Sequence, residues 1–168
     1  MSGYESRIPA SEAYVRRLGR AVYNFTYLEH SIVWLGETMS PGFINSCKKS
    51  TAKIIANKFE SVVESTALDN DTKQKLATLS TEFKELVKVR DKILHSRPYT
   101  TEDGEQELLY DGRHGRMKLV PEELEVAAQG FETAAIAAGR LLHESGLLER
   151  HRGNLARTSA AVPSDVEA

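Results

Sequence analysis

Between Ser11 and Met39 the apolar positions Tyr14, Leu18, Val22, Phe25, Leu28, Ile32, Leu35 and Met39 follow one another at steps of three or four residues. That spacing draws one stripe along a long helix. Ser11 is placed to cap its start, and Pro41-Gly42 to end it. A second stripe, Ile54/Ile55, Phe59, Val62/Val63 and Thr66, predicts a second helix, with Asn45-Ser46 supplying its cap. The run Leu68-Asp69-Asn70-Asp71 breaks the pattern and offers caps for a third helix, whose stripe is Leu76, Leu79, Phe83, Leu86/Val87, Arg90 and Ile93/Leu94. Pro98 disfavours the helical conformation at Arg97, so this helix should finish near His95 or Ser96.

From Pro98 to Val120 the helical period is lost. Turn signals at Asp103-Gly104 and Asp111-Gly112 separate Pro98–Thr101, Glu107–Tyr110 and Arg116–Val120, which read as short strands of one or two hairpins. Pro121 then opens a fourth helix at its first position, with Glu122 and Glu123 favourably placed in the helix dipole and an Ala-rich core side running to about Ser145-Gly146. The expected fold is all-α: an antiparallel four-helix bundle with a small β-hairpin insertion between the third and fourth helices. Residues 1–10 read as an N-terminal extension, 11–148 as the helical domain with the β insertion at about 98–120, and 149–168 as a small, polar tail expected to be disordered.

Composition narrows the setting. A chain of 168 residues suits one domain, and a domain of that size buries roughly 70% of its unfolded surface without staples. With 40% hydrophobic and 27% charged residues, the composition is that of an ordinary globular domain. Cys47 is the only cysteine, so no intramolecular disulfide forms and a reducing, cytoplasmic setting is expected. Neither a cysteine cluster nor a His-Glu-x-x-His run is present, and neither metal nor cofactor is expected. Met1 to Ile8 has no apolar run and no later stretch reaches the roughly 18 apolar residues of a membrane span, so neither export nor membrane insertion is read. A formal net charge of −2 argues against a general nucleic-acid coat and leaves room for a local basic site.

Arg90 is the most informative position. A guanidinium on an apolar stripe keeps its proton and needs an anion or a set of carbonyls beside it. A structural ion pair with Glu29 or Glu37 of the first helix is one reading, and a phosphate clamp is the other. Lys84, Lys88, Arg90, Lys92 and Arg97 outnumber Glu85 and Asp91, an excess of three positive charges that would draw a phosphate backbone. Lys84, Lys88, Asp91 and His95 are spaced to share a helical face and would form a track towards the histidine, or simply a solvated charged face.

The string Arg90-Asp91-Lys92-Ile93-Leu94-His95, at a helix end just before Pro98, resembles the signature of the HEPN domains, a helical superfamily that contains many metal-independent endoribonucleases. The four-helix reading from Ser11 to Gly146, with this motif late in the third helix, looks like the same superfamily. The resemblance implies RNA as substrate and a homodimer whose active site forms between protomers. It further implies His95 as general base or acid, Arg90 holding the scissile phosphate and Asp91 orienting one of them, with a role as toxin or antiphage effector held in check by an antitoxin or other regulatory protein. The chemistry needs a base for the 2′-hydroxyl proton, a cation for charge building on phosphorus and an acid for the leaving oxygen. Five helical steps place His95 roughly 140° from Arg90, so a regular helix does not put them on one face. Either the helix unwinds at His95, or a two-fold dimer brings the residues of both chains into one cleft.

Some toxin branches of the superfamily carry a tyrosine two residues beyond the histidine that partner nucleotidyltransferases modify. Arg97 stands there in this chain, and the nearest tyrosine is Tyr99. Arg97 and Tyr99, with Lys84, Lys88 and Lys92, are the candidate RNA contacts, and Glu29 is a candidate for orienting Arg90. Arg113, His114, Arg116 and Lys118 form a second basic cluster in the hairpin. Trp34 reads as a core or dimer anchor, and His30 as a structural histidine. Two other readings stand beside the nuclease: a non-catalytic helical module of the same fold binding a nucleotide, RNA or protein partner, and a purely structural dimerisation domain.

Overall fold

The computed structural model describes residues 10–112, 115–149 and 151–153. The first stripe forms α1 (Glu12–Met39), and Ser11 occupies its N-cap position without a side-chain hydrogen bond. Gly42, at φ +92°, turns the chain straight into a short helix, α2 (Phe43–Cys47). Asn45 and Ser46 therefore lie inside α2 and do not cap the second stripe. Thr51 does, accepting the Ile54 N–H at the start of α3 (Ala52–Ser65). The reason for the extra helix lies in Glu37, whose carboxylate accepts the N–H groups of Gly42 and Ile44 at 2.9 and 2.8 Å. Gly36 leaves room for the Phe43 ring against α1, where a Cβ would collide with it.

Asp69 caps α4 (Asn70–Leu94), accepting the Thr72 N–H at 2.9 Å. The helix gives way at His95 to a three-stranded antiparallel sheet, β1 (Arg97–Thr100), β2 (Gln106–Gly112) and β3 (Gly115–Leu119), in the order β1-β2-β3. Of the one or two hairpins expected, two form, with Tyr99 opposite Glu107 and Tyr110 opposite Met117. Val120 belongs to the next element, as N-cap of α5 (Pro121–Glu144). The expected disorder from Glu149 does not hold where the chain is described: Glu149 and 151–153 are helical, and the rest of that tail lies outside the described residues.

The protein is thus mostly helical with a small sheet. α1 packs along α5 and α3, and α4 along α3 and α5. The buried layer joins Phe25, Leu28, Ile32 and Leu35 of α1 to Phe59 of α3, Phe83 and Val87 of α4, and Phe131 with Ala128, Ala134 and Ala138 of α5. Alanines on α5 let the two backbones approach closely enough for Asn24 Nδ2 to donate to Ala128 O at 3.0 Å. Tyr14, buried at the start of α1, fixes the sheet to the helices: its hydroxyl donates to Leu119 O and accepts the Leu108 N–H, both at 2.8 Å. Among the described residues no helix is long and apolar enough to cross a membrane.

Candidate anion site at Arg90

The third stripe places Arg90 on the inward side of α4, three residues beyond Val87 and three before Ile93, both buried. The guanidinium reaches across to α1, where its carbon lies 5.4 Å from the centre of the Phe25 ring. Nη1 donates to Asp91 Oδ1 at 2.9 Å. Nε is buried and has no acceptor among the described residues. A cation over an aromatic face is stabilised by the ring quadrupole, but that contact leaves the N–H without a hydrogen bond.

Beside it lies a cleft of about 110 Å³ between α1, α4 and α5, with Val22, Phe25 and Glu29 on one wall and Arg90 and Leu94 on another. Glu29 and Arg90 share this cleft without forming an ion pair. Burial raises the Glu29 pKa above the usual carboxylate value, and the positive charge of Arg90 opposes that rise in part. Glu37, the other acid considered for Arg90, is committed to the α1–α2 corner. Phe25 and Glu29 are one helical turn apart on α1, so the pattern that marks the core stripe also delivers the floor of this site. Nothing in the spacing of α4 alone points to Phe25.

His95 is the C-cap of α4, at φ −99° and ψ 7°; its backbone N–H donates to Asp91 O at 2.9 Å. Its side chain is exposed and lies outside the Arg90 cleft. The helix therefore ends where the sequence says it should, and within one chain His95 does not line the cleft that holds Arg90. The motif's arginine and aspartate meet, and its histidine stands apart.

The expected basic track is largely compensated. Lys84 pairs with Glu60 of α3, and Lys88 with Glu85 at 2.6 Å. Lys92 is half-buried and forms no ion pair among the described residues. Arg97 donates to Asp111 at 3.0 Å, and Arg116 meets the other oxygen of that carboxylate at the same distance. The hydrogen bond from Arg97 is the main reason the Asp111 pKa falls below the usual range. Tyr99 donates to Glu107 at 2.7 Å with the Lys118 ammonium 5.5 Å from its ring centre. Burial, then that hydrogen bond, raises the tyrosine pKa. Arg113 and His114 of the hairpin cluster lie outside the described residues.

Compared with known proteins, the chain matches no family model, no curated protein and no solved structure. Function rests on the residues themselves.

Among the described residues no group of three or more His, Cys, Asp or Glu side chains is placed to hold a metal ion. A larger cleft, about 450 Å³, runs between the first half of α4 and the last turns of α5. Its charged residues are of both signs, Asp71, Glu82 and Glu144 against Lys75 and Arg140, and no residue of the motif enters it. The smaller Arg90 cleft is the better candidate because it holds a fixed cation with an unused donor.

Proposed function

We propose that this chain is a metal-independent endoribonuclease of HEPN type, acting as a homodimer on single-stranded or loop RNA. The observation that carries the reading is the Arg90 guanidinium, partly exposed at a cleft between Phe25 and Asp91, with an Nε–H that has no acceptor among the described residues. A phosphate oxygen is the acceptor that such a donor suits. In the proposed reaction the 2′-oxygen attacks phosphorus, and its proton passes to His95. The bond from phosphorus to the next nucleotide's 5′-oxygen breaks, that oxygen takes a proton from His95 of the partner subunit, and a 2′,3′-cyclic phosphate remains. Arg90 stabilises the charge on the phosphoryl oxygens, and Asp91 positions Arg90. Lys92, Arg97 and Tyr99 are the proposed contacts along the RNA, with Lys84 and Lys88 contributing once their surface ion pairs, which are worth little, give way. The finer architecture proposed with this activity is the antiparallel four-helix bundle formed by α1, α3, α4 and α5. The cellular role proposed with it is that of a cytoplasmic toxin or antiphage effector restrained by a regulatory protein.

The separation of His95 from Arg90 within one chain favours a second reading, a non-catalytic module of the same fold that holds a nucleotide or RNA phosphate at Arg90. One experiment divides the two. Wild type, His95→Ala and Arg90→Ala are incubated with total RNA in EDTA, and the product ends are examined for cyclic phosphate. The nuclease reading expects cleavage by wild type and a loss of at least about a hundredfold in either variant, the lower end of what a general acid or base contributes. Full cleavage by His95→Ala or Arg90→Ala removes the assigned roles. No cleavage by wild type, with RNA binding that His95→Ala retains and Arg90→Ala loses, establishes the binding module.

A further inference from the structure

The outward side of α1 carries an aromatic stripe that nothing in the described chain covers. Tyr23, Tyr27, His30 and Trp34 follow at steps of four, three and four residues and fall within about 60° of one another, opposite the core positions Phe25, Leu28 and Ile32. Tyr23 is 69% exposed, Tyr27 58% and Trp34 40%. The indole is held in place, because Trp34 Nε1 lies 2.8 Å from His30 Nε2, to which it donates. Exposed Val22 and Leu94 extend the patch towards the Arg90 cleft, and exposed Ile136 of α5 extends it on the other side, where it shares a shallow hollow with Tyr23 and Tyr27. Large aromatics in a row on one helix face, already ordered before any partner arrives, are the composition of an interface core.

We propose that this face of α1 binds the same face of a second copy, with the two helices antiparallel across a two-fold axis. This names the interface for the homodimer proposed above, although it stands on the geometry of α1 alone. The stripe is complementary to itself. In an antiparallel pair, residues that meet have a constant sum of positions; the register that sets Tyr27 opposite His30 also sets Tyr23 opposite Trp34. Aromatic meets aromatic along the centre. The antiparallel arrangement also sets the helix dipoles head to tail. Three aromatics that keep 40–69% of their surface exposed, with three exposed aliphatic neighbours, Val22, Leu94 and Ile136, form the centre of a contact of standard size, roughly 800 Å² per partner.

Sedimentation of the full chain over a range of concentrations tests the proposal, with Tyr27→Arg as the disrupting variant and Ile54→Arg, on exposed α3 surface away from the stripe, as the control. Wild type and Ile54→Arg are expected to sediment at twice the 18.7 kDa chain mass, and Tyr27→Arg at half that value with an unchanged helical circular dichroism spectrum. A wild type that stays monomeric overturns the proposal, as does a Tyr27→Arg protein that stays dimeric or an Ile54→Arg protein that also dissociates. A monomeric wild type whose RNA affinity falls in Tyr27→Ala identifies the stripe as a base-stacking surface instead. RNA cleavage assayed on the same samples keeps the two ideas apart: a dimer that leaves RNA intact supports this interface and counts against the nuclease, and a monomeric Tyr27→Arg that cleaves at the wild-type rate supports the interface while removing the need for a shared site.

Discussion

At Glu29 two effects oppose each other, and the direction of its pKa decides between them. Burial disfavours the carboxylate, Arg90 favours it, and the net rise says that burial prevails. The folded protein then holds this proton more tightly than the unfolded chain. Stability is highest at low pH as far as this group is concerned, and falls as pH rises from the ordinary carboxylate value through the raised one. Glu29→Gln removes the charged form. Its melting temperature should exceed that of wild type at about pH 7 and match it at about pH 4. Equal melting temperatures at both values would mean that Arg90 compensates burial in full. Arg90 itself was legible in the sequence as an arginine out of place on an apolar stripe. Its partner was not: sequence reasoning offered Glu29 or Glu37, and the structure gives Asp91 with Phe25 below. Contacts between neighbouring helices depend on crossing geometry, which periodicity within one helix does not contain.

Among the elements, the long helices followed from the spacing of apolar positions, and the strands from the turn signals at Asp103-Gly104 and Asp111-Gly112. The short α2 did not, because five residues are too few to establish a period and its cause is a carboxylate seven residues before Ile44. The α1–α2 corner depends on close contact, and Gly36→Ala should cost about 1–3 kcal/mol in denaturant unfolding, the usual penalty for forcing atoms into a packed site. A loss under about half a kilocalorie would show that Phe43 simply moves aside. The sheet depends on one hydroxyl. Tyr14→Phe keeps the buried ring and leaves Leu119 O and the Leu108 N–H unpaired, a loss of about 1–3 kcal/mol. Hydrogen exchange should speed up at Leu108 before it does in α5. Uniform acceleration over the whole chain would deny Tyr14 its local role.

On the scale of the whole molecule, the mostly helical class with a small sheet before the last helix was readable from the chain alone, whereas the functional constellation was readable only in part. Arg90 and Asp91 adjoin in sequence and in space. His95 is five residues from Arg90 and does not line its cleft, and the pairing of Lys84 with Glu60 spans 24 positions, so the charge excess around the motif is smaller in the fold than in the sequence. Local charge counts register every lysine and see none of the acids that a neighbouring helix brings to it.

The most extensive helix pairing, α1 with α5, joins the first long element to the last. Tyr14 waits for Leu119 across 105 positions, and Arg20 for Glu125 across the same interval. During synthesis on a ribosome the apolar stripe of α1 therefore emerges long before the alanine-rich surface made to cover it. At roughly 5–20 residues per second the delay is on the order of 5–20 seconds. For that interval α3 and α4 can cover part of the α1 stripe, but the side that meets α5 stays open, and the order in which the polypeptide is made sets how long that surface is at risk of aggregation.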